Sequence, residues 1–338
     1  MKIIIPSVRD TGGTGWNLAH AINNVSKGKH HAVDFTVQKS YINYPCIANM
    51  GDYNVKTCRD MIYKADVVVF LGDFWPFYQA PLKLDPEKMK NKKTLLLFMG
   101  SEWRNGRAGI LKHTEDLIKG PYKIAVGSPC MLLPGEDKDK TPTPKGVEWL
   151  PLTRAFDEIA NAYSMPKRDR TALSQFTKRR DKVVFMHAPT SEERKGSQTF
   201  YYAVTRAQQM VPNLIFSTVR GQPWINCLKA LASSDLLFDQ DPPFPETYGG
   251  ISVEASCFKL PVVSRVNQYA IDFWKKETGL DSPIIQWSSD DDLLKKCYEL
   301  ATDHGLREQF GQETYTFMKA LHDEKPVVDR FLKIVDAM

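Results

Sequence analysis

The feature that most constrains this chain is the alternation of short apolar runs with amphipathic stretches along nearly its whole length. Residues 2–5, 32–37, 66–71, 94–99, 123–126 and 147–150 are strand-sized runs rich in Val, Ile, Leu and Phe. Residues 17–25, 55–64 and 110–119, set between them, carry helical spacing. The alternation pauses at 154–165, a short helix followed by Pro166, and then resumes. Residues 182–186, 214–218, 236–238, 261–264 and 283–286 read as strands, and 200–210, 225–232, 251–258, 293–302 and 306–322 as helices. Ser288-Ser289-Asp290-Asp291 reads as a helix start, with a side chain to cap it and acids to face the dipole. Buried strands joined by helical crossovers form parallel sheets covered on both faces. The expected fold class is therefore α/β, with two Rossmann-like domains facing across a cleft. The expected boundaries are 1–160, a basic linker at 161–182, 183–322, and a C-terminal helix at 323–338 whose apolar spacing suits packing on either domain. In such folds ligands bind beyond the carboxyl ends of the strands.

Composition agrees with this and excludes several alternatives. A chain of 338 residues has room for two cores, and 42% hydrophobic with 25% charged residues is ordinary globular usage. The longest apolar runs are too short to span a bilayer, and the three isoleucines before Pro6 do not make a signal peptide. The six cysteines form no C-x-x-C pair, which argues against a zinc site or a disulfide framework and fits a reducing cytoplasm. Between Lys167 and Lys182 seven basic residues face only Asp169 and Asp181. A solvated linker face accounts for such a run, and so does a patch that meets a polyanion or an acidic membrane surface. The run alone leaves both open.

The most informative segment runs from Phe244 to Ser264. Physically it is a loop, a glycine pair opening a helix, and a buried strand. Gly249 and Gly250 permit close backbone approach, and the helix start offers free N–H groups to an anion such as a pyrophosphate. Glu246 and Glu254 stand eight residues apart, and carboxylates there can accept hydrogen bonds from sugar or ribose hydroxyls. A surface turn before an ordinary core helix is the bland alternative. The segment resembles the donor site of retaining GT-B glycosyltransferases, specifically glycosyltransferase family four, at Glu246, Tyr248, Gly249, Glu254, Ala255, Pro261, Val262 and Val263. The resemblance implies that Glu254 binds the nucleotide ribose, that Glu246 touches the transferred sugar, and that the backbone from Thr247 and Tyr248 to Gly250 meets the phosphates.

Other segments extend the resemblance. Val183 to Pro189, followed by Lys195-Gly196, is similar to the first strand and loop of the family's donor domain. Lys195 is thereby implied to offset the charge of the departing phosphates. The family's arginine earlier in that loop is missing, Pro189 standing six residues before Lys195, unless Arg194 or Arg220 substitutes. His187 closes the strand and is either a donor contact or a hydrogen-bonded core histidine. Asp239-Gln240-Asp241 also forms a D-x-D after a strand, a potential metal pair; with Lys195 and helix dipoles available, metal independence is expected. In the first half, Gly12, Gly13 and Gly15 form a strand-to-helix turn that in the family faces the donor. Gly100-Ser101-Glu102-Trp103-Arg104 is similar to a family motif in which a histidine is common where Met99 stands. Glu102 and Arg104 are candidates for catalysis or acceptor binding, and Asp73 or Glu102 for a general base. The aromatic cluster from Phe74 to Tyr78 suits either stacking on a sugar or base, or core packing.

The expected activity is hexosyl transfer from a UDP- or GDP-linked donor with retention, needing no cofactor beyond that co-substrate. The expected catalytic residues are Glu246, Lys195, Arg104 and Glu102, and the acceptor is a glycan, a lipid or DNA. Two alternatives stand beside it: glycosylation of a hydroxymethylated base in DNA, and a catalytically silent GT-B-like nucleotide-sugar or glycan binding module. A dinucleotide oxidoreductase is disfavoured, because residues 12–15 lack the G-x-G-x-x-G spacing. A cytoplasmic protein, peripheral to a membrane or bound to nucleic acid, is the matching localisation.

Overall fold

A computed structural model describes residues 1–10, 12–38, 42–72, 74–100, 103, 109–114, 120–133, 143–163, 182–241 and 247–338. The chain divides into two units, Met1–Thr153 with His322–Met338, and Arg154–Leu321.

In the first unit the six apolar runs become parallel strands, joined by one the sequence did not announce, β3: β1 (Lys2–Ser7), β2 (His31–Thr36), β3 (Ala48–Asn49), β4 (Val67–Leu71), β5 (Lys93–Phe98), β6 (Tyr122–Val126) and β7 (Glu148–Trp149). Among the described residues their order is β3-β2-β1-β4-β5-β6-β7. Register is set by burial on both faces, as in Ile3 opposite Val67 and Val69 opposite Leu95. Successive residues of one strand enter different cores. Val68, Phe70, Leu96 and Phe98 face one side with Ile62, Phe74, Phe77 and Trp103. Val67, Val69, Leu95 and Leu97 face the other with Leu18 and Ile22 of the helix Thr14–Ser26.

The C-terminal helix Glu324–Asp336 belongs to this second core, through Val327, Val328, Phe331, Ile334 and Val335. The two chain crossings are tied together: Thr153 Oγ1 donates to His322 O at 3.1 Å, and His322 Nδ1 lies 2.7 Å from Leu152 O.

The second unit contains β8 (Val183–His187), β9 (Leu214–Thr218), β10 (Leu236–Phe238) and β11 (Val262–Val263), ordered β11-β10-β8-β9 and all parallel. The run at 283–286 contributes a single bridge, Ile285 to Val263, rather than a strand. A helix not expected from the sequence, Gln268–Thr278, is capped by the Asn267 side chain and closed by Gly279 in the left-handed region. The position 160 falls inside the helix Phe156–Tyr163, which lies wholly in the second unit, so the contact boundary comes earlier, after Thr153. No helix among the described residues is long and apolar enough to cross a membrane.

Phe331 is fully buried between the helix and the sheet. Phe331→Ala is expected to cost about 3–5 kcal/mol, read as a lower urea midpoint.

Candidate functional site

In the second unit β8 and β10 end side by side where the strand order reverses, with His187 in register with Phe238. Loops leaving a reversal point diverge around a crevice. The β8 loop enters the helix Ser197–Met210 at Gly196, whose φ of 63° is left-handed. A Cβ there would collide with the Asp241 backbone, so two independent constraints select glycine. Asp241 N donates to Lys195 O at 3.1 Å. That bond clips the β8 loop to the β10 exit and carries Lys195 to residues 239 and 240.

Lys195 Nζ donates to Asp239 Oδ1 at 2.8 Å and to Gln240 Oε1. Asp239 Oδ2 accepts from the Gly249 amide and from Ser252 Oγ, the latter at 2.7 Å. The carboxylate thus sits at the start of the helix Gly250–Cys257, where N–H groups and the helix dipole favour an anion. The Asp239 side chain is 0% exposed and that of Lys195 17%. Burial pushes the Asp239 carboxyl upward, but Lys195, Ser252 and the Gly249 amide outweigh it and hold it below the usual carboxylate range. Gly249 has an ordinary φ of −82° and is needed for space. A Cβ there would lie 2.5 Å from Lys195 Nζ and 3.0 Å from Asp239 Oδ1. Gln240 Nε2 donates to Thr247 O, and the Tyr248 ring stacks on Trp274 with centroids 4.7 Å apart. Of the D-x-D carboxylates, Asp239 meets Lys195, whereas Asp241 Oδ1 lies 3.4 Å from Arg265 Nε.

Glu254, one turn into the same helix, is held from within. Its Oε1 accepts from Arg154 Nε (3.0 Å), Arg154 Nη2 (2.9 Å) and Trp224 Nε1 (2.9 Å), with Arg154 1% and Glu254 2% exposed. A ribose hydroxyl reaching that oxygen has to exchange with one of these donors. Burial and the Glu254 charge push the nearby Cys227 thiol up to about 12, so it is no nucleophile at neutral pH.

His187 braces the end of β8 against β10 and the next helix. It is fully buried, with Nδ1 3.0 Å from Phe238 O and Nε2 2.8 Å from Ser197 Oγ, and burial lowers its pKa. Arg220 is exposed and engages Glu192 and Tyr201. Glu246, Glu102, Arg104, Asp73 and residues 167–181 lie outside the described residues.

The glycine turn of the first unit is also occupied by an internal carboxylate. Asp10 accepts from the amides of Thr14 and Gly15, both at 2.8 Å, and from Trp16 at 3.5 Å. Gly13 is left-handed at φ 64°, with the Tyr44 ring where its Cβ would stand. Gly15 packs against Leu71 and Asp10, whereas a Cβ on Gly12 would meet only Thr14 Oγ1, at 3.4 Å. Met99 packs into the first-unit core. Phe74 and Phe77 of the aromatic cluster are core residues, while Trp75 is exposed and stacks on His113. Beside the turn, buried Asp34 accepts from Ile47 N at 2.8 Å. Burial, with Asp10 adding repulsion, pushes its carboxyl up to about 7.

Sequence reasoning missed Arg154, Trp224, Ser252, Asp10 and Asp34. Only Asp10 carried a signal, as an acid ahead of a glycine turn and helix start. Arg154 lies 100 residues from its partner.

No family model matches the chain, and no curated relative does. Solved structures do. HepE of Anabaena, in complex with UDP and glucose, superposes with a TM-score of 0.64 at 11% identity, over 100% of both chains. An alpha-glucosyltransferase in complex with UDP and a 13-mer DNA gives 0.67 at 11% identity, over 99% of this chain and 100% of that one. Sucrose-phosphate synthase of Thermosynechococcus elongatus gives 0.59 at 11%, over 100% and 99%. The fold is that of the GT-B glycosyltransferases.

Two expectations follow from these pairs. Arg154→Met leaves Glu254 buried without its cation and is expected to destabilise by about 3–5 kcal/mol in urea, with part recovered when Glu254→Gln is added. For Asp34, a raised folded pKa means that its stabilising contribution is complete below about pH 4 and is lost as pH rises through about 7. The unmodified chain should therefore lose roughly 4 kcal/mol relative to Asp34→Asn between about pH 4 and pH 8, measured by denaturation at each pH.

Proposed function

We propose that this chain is a glycosyltransferase that takes a hexose from a UDP- or GDP-linked donor. The observation that carries the reading is the convergence of Lys195, the Gly249 amide and the helix Gly250–Cys257 at the β8/β10 reversal point of a GT-B fold. HepE and the alpha-glucosyltransferase, both solved with UDP, favour uridine as the base.

The chemical work falls to positioning and electrostatics. Lys195, held by Asp239 and Gln240, is the cation placed to turn to a phosphate oxygen of the leaving group. The start of the helix Gly250–Cys257 adds its dipole to that charge. Glu246 contacts the transferred sugar, and Glu254, fixed by Arg154 and Trp224, sets the nucleoside side of the cradle. Transfer proceeds with retention, and with lysine and dipole offsetting the diphosphate we expect it to persist in EDTA. Six free thiols suit a reducing compartment, so the protein is read as cytoplasmic.

A second reading concerns the acceptor: a hydroxymethylated base in DNA. It is supported by the fold shared with the DNA-bound alpha-glucosyltransferase and by the basic run from Lys167 to Lys182.

A thermal-shift panel of nucleotide sugars should single out one donor, and turnover of that donor should fall about 10²–10³-fold in Lys195→Ala and in Glu246→Ala. Binding without turnover in the unmodified chain would identify a silent module instead. Transfer to hydroxymethylated DNA that weakens steeply with salt supports the second reading; transfer to glycan or lipid alone eliminates it.

A further inference from the structure

The donor cradle already holds an anion, and that anion is part of the chain. Asp239 has the place and the partners a phosphate oxygen would take: the Gly249 amide and Ser252 Oγ on one oxygen, Lys195 Nζ on the other. Its side chain is wholly buried, so no solvent competes for its oxygens. The space left by the absent Cβ of Gly249 is filled by the lysine and carboxylate themselves.

The other cations nearby are matched in the same way. Arg154 is paired with Glu254, Arg220 with Glu192 and Arg265 with Asp241. Each of these four cations, Lys195 included, has its own carboxylate, so the charge that Lys195 brings to the cradle is already matched from within. When Lys195 turns to a phosphate it exchanges one charge-assisted bond for another, and only the difference appears as affinity. Asp239 is meanwhile left buried with two neutral donors and no cation, an unfavourable state for a carboxylate.

We infer that Asp239 sets the anion affinity of the cradle, as an internal carboxylate that competes with a diphosphate for Lys195 and the Gly249 amide. This rests on the reading of the cradle as a diphosphate site. It assigns Asp239 a role opposite to metal binding: it holds the site closed to anions, and an anion has to displace it.

Asp239→Asn is the informative change, because an amide keeps the shape and an acceptor for Gly249 and Ser252 while removing the charge. Titration calorimetry with inorganic pyrophosphate and with UDP should show Asp239→Asn binding at least about tenfold more tightly than the unmodified chain, with binding of uncharged uridine unchanged. If the unmodified chain binds UDP and Asp239→Asn binds it equally or more weakly, Asp239 merely orders Lys195, and the inference falls while the donor reading stands. If neither protein binds pyrophosphate or UDP, the cradle is no diphosphate site and both fall. Should Asp239→Asn not fold, a crystal structure of the unmodified chain soaked with pyrophosphate decides. Lys195 Nζ is expected to leave Asp239 Oδ1 by more than about 4 Å. A separation still at 2.8 Å with pyrophosphate bound overturns the inference.

Discussion

Parallel pairing of β8 with β10 is the constraint on which the rest of the second unit depends. The two strands are distant in sequence, yet their registered ends put His187 beside Phe238 and start two loops from one place. Everything at the candidate site follows from that coincidence: the clip between Asp241 and Lys195, the reach of Lys195 to Asp239, and the approach of Gly249 to both. Parallel strands cannot be joined by a tight turn, so the helix Ser197–Met210 and the segments after it are obligatory spacers. They are also what holds the loops apart.

Much of this architecture was legible in the sequence, because strands buried on both faces are continuous apolar runs. Val67–Leu71 and Lys93–Phe98 are examples, and each feeds alternate residues to two cores. β3 was not legible, since two residues show no period, and the run at 283–286 has strand composition but makes only one bridge. The helix Gln268–Thr278 mixes aromatics with lysines and buries only Ala270 and Trp274, which leaves a weak apolar stripe. At the site, Lys195 and Gly249 were legible because loop and helix start obey local rules. Asp239 was visible as a residue, but nothing in its spacing to Asp241 showed that each would meet a different cation, Lys195 and Arg265. Arg154 was invisible, since nothing local to residue 154 points to Glu254.

The buried charges share a logic. Asp239 and Glu254 are each nearly inaccessible and each met by a cation as well as by neutral donors. A carboxylate removed from water needs both: Coulomb attraction offsets desolvation only when the remaining lone pairs are also satisfied. Asp34 meets no cation among the described residues and takes the other solution, a carboxyl that holds its proton to about pH 7.

The tie between Thr153 and His322 has a consequence for biosynthesis. The sheet of the first unit is made from the first 149 residues, but one face is roofed by Glu324–Asp336. A ribosome adds about 5–20 residues per second, so the nascent sheet spends roughly 10–40 s with Leu18, Ile22 and Val69 lacking that roof. All of Arg154–Leu321 is made in the meantime. The unit encoded between the two parts of the first can therefore be complete before it, and a sheet made ahead of Arg154–Leu321 is sealed only after it.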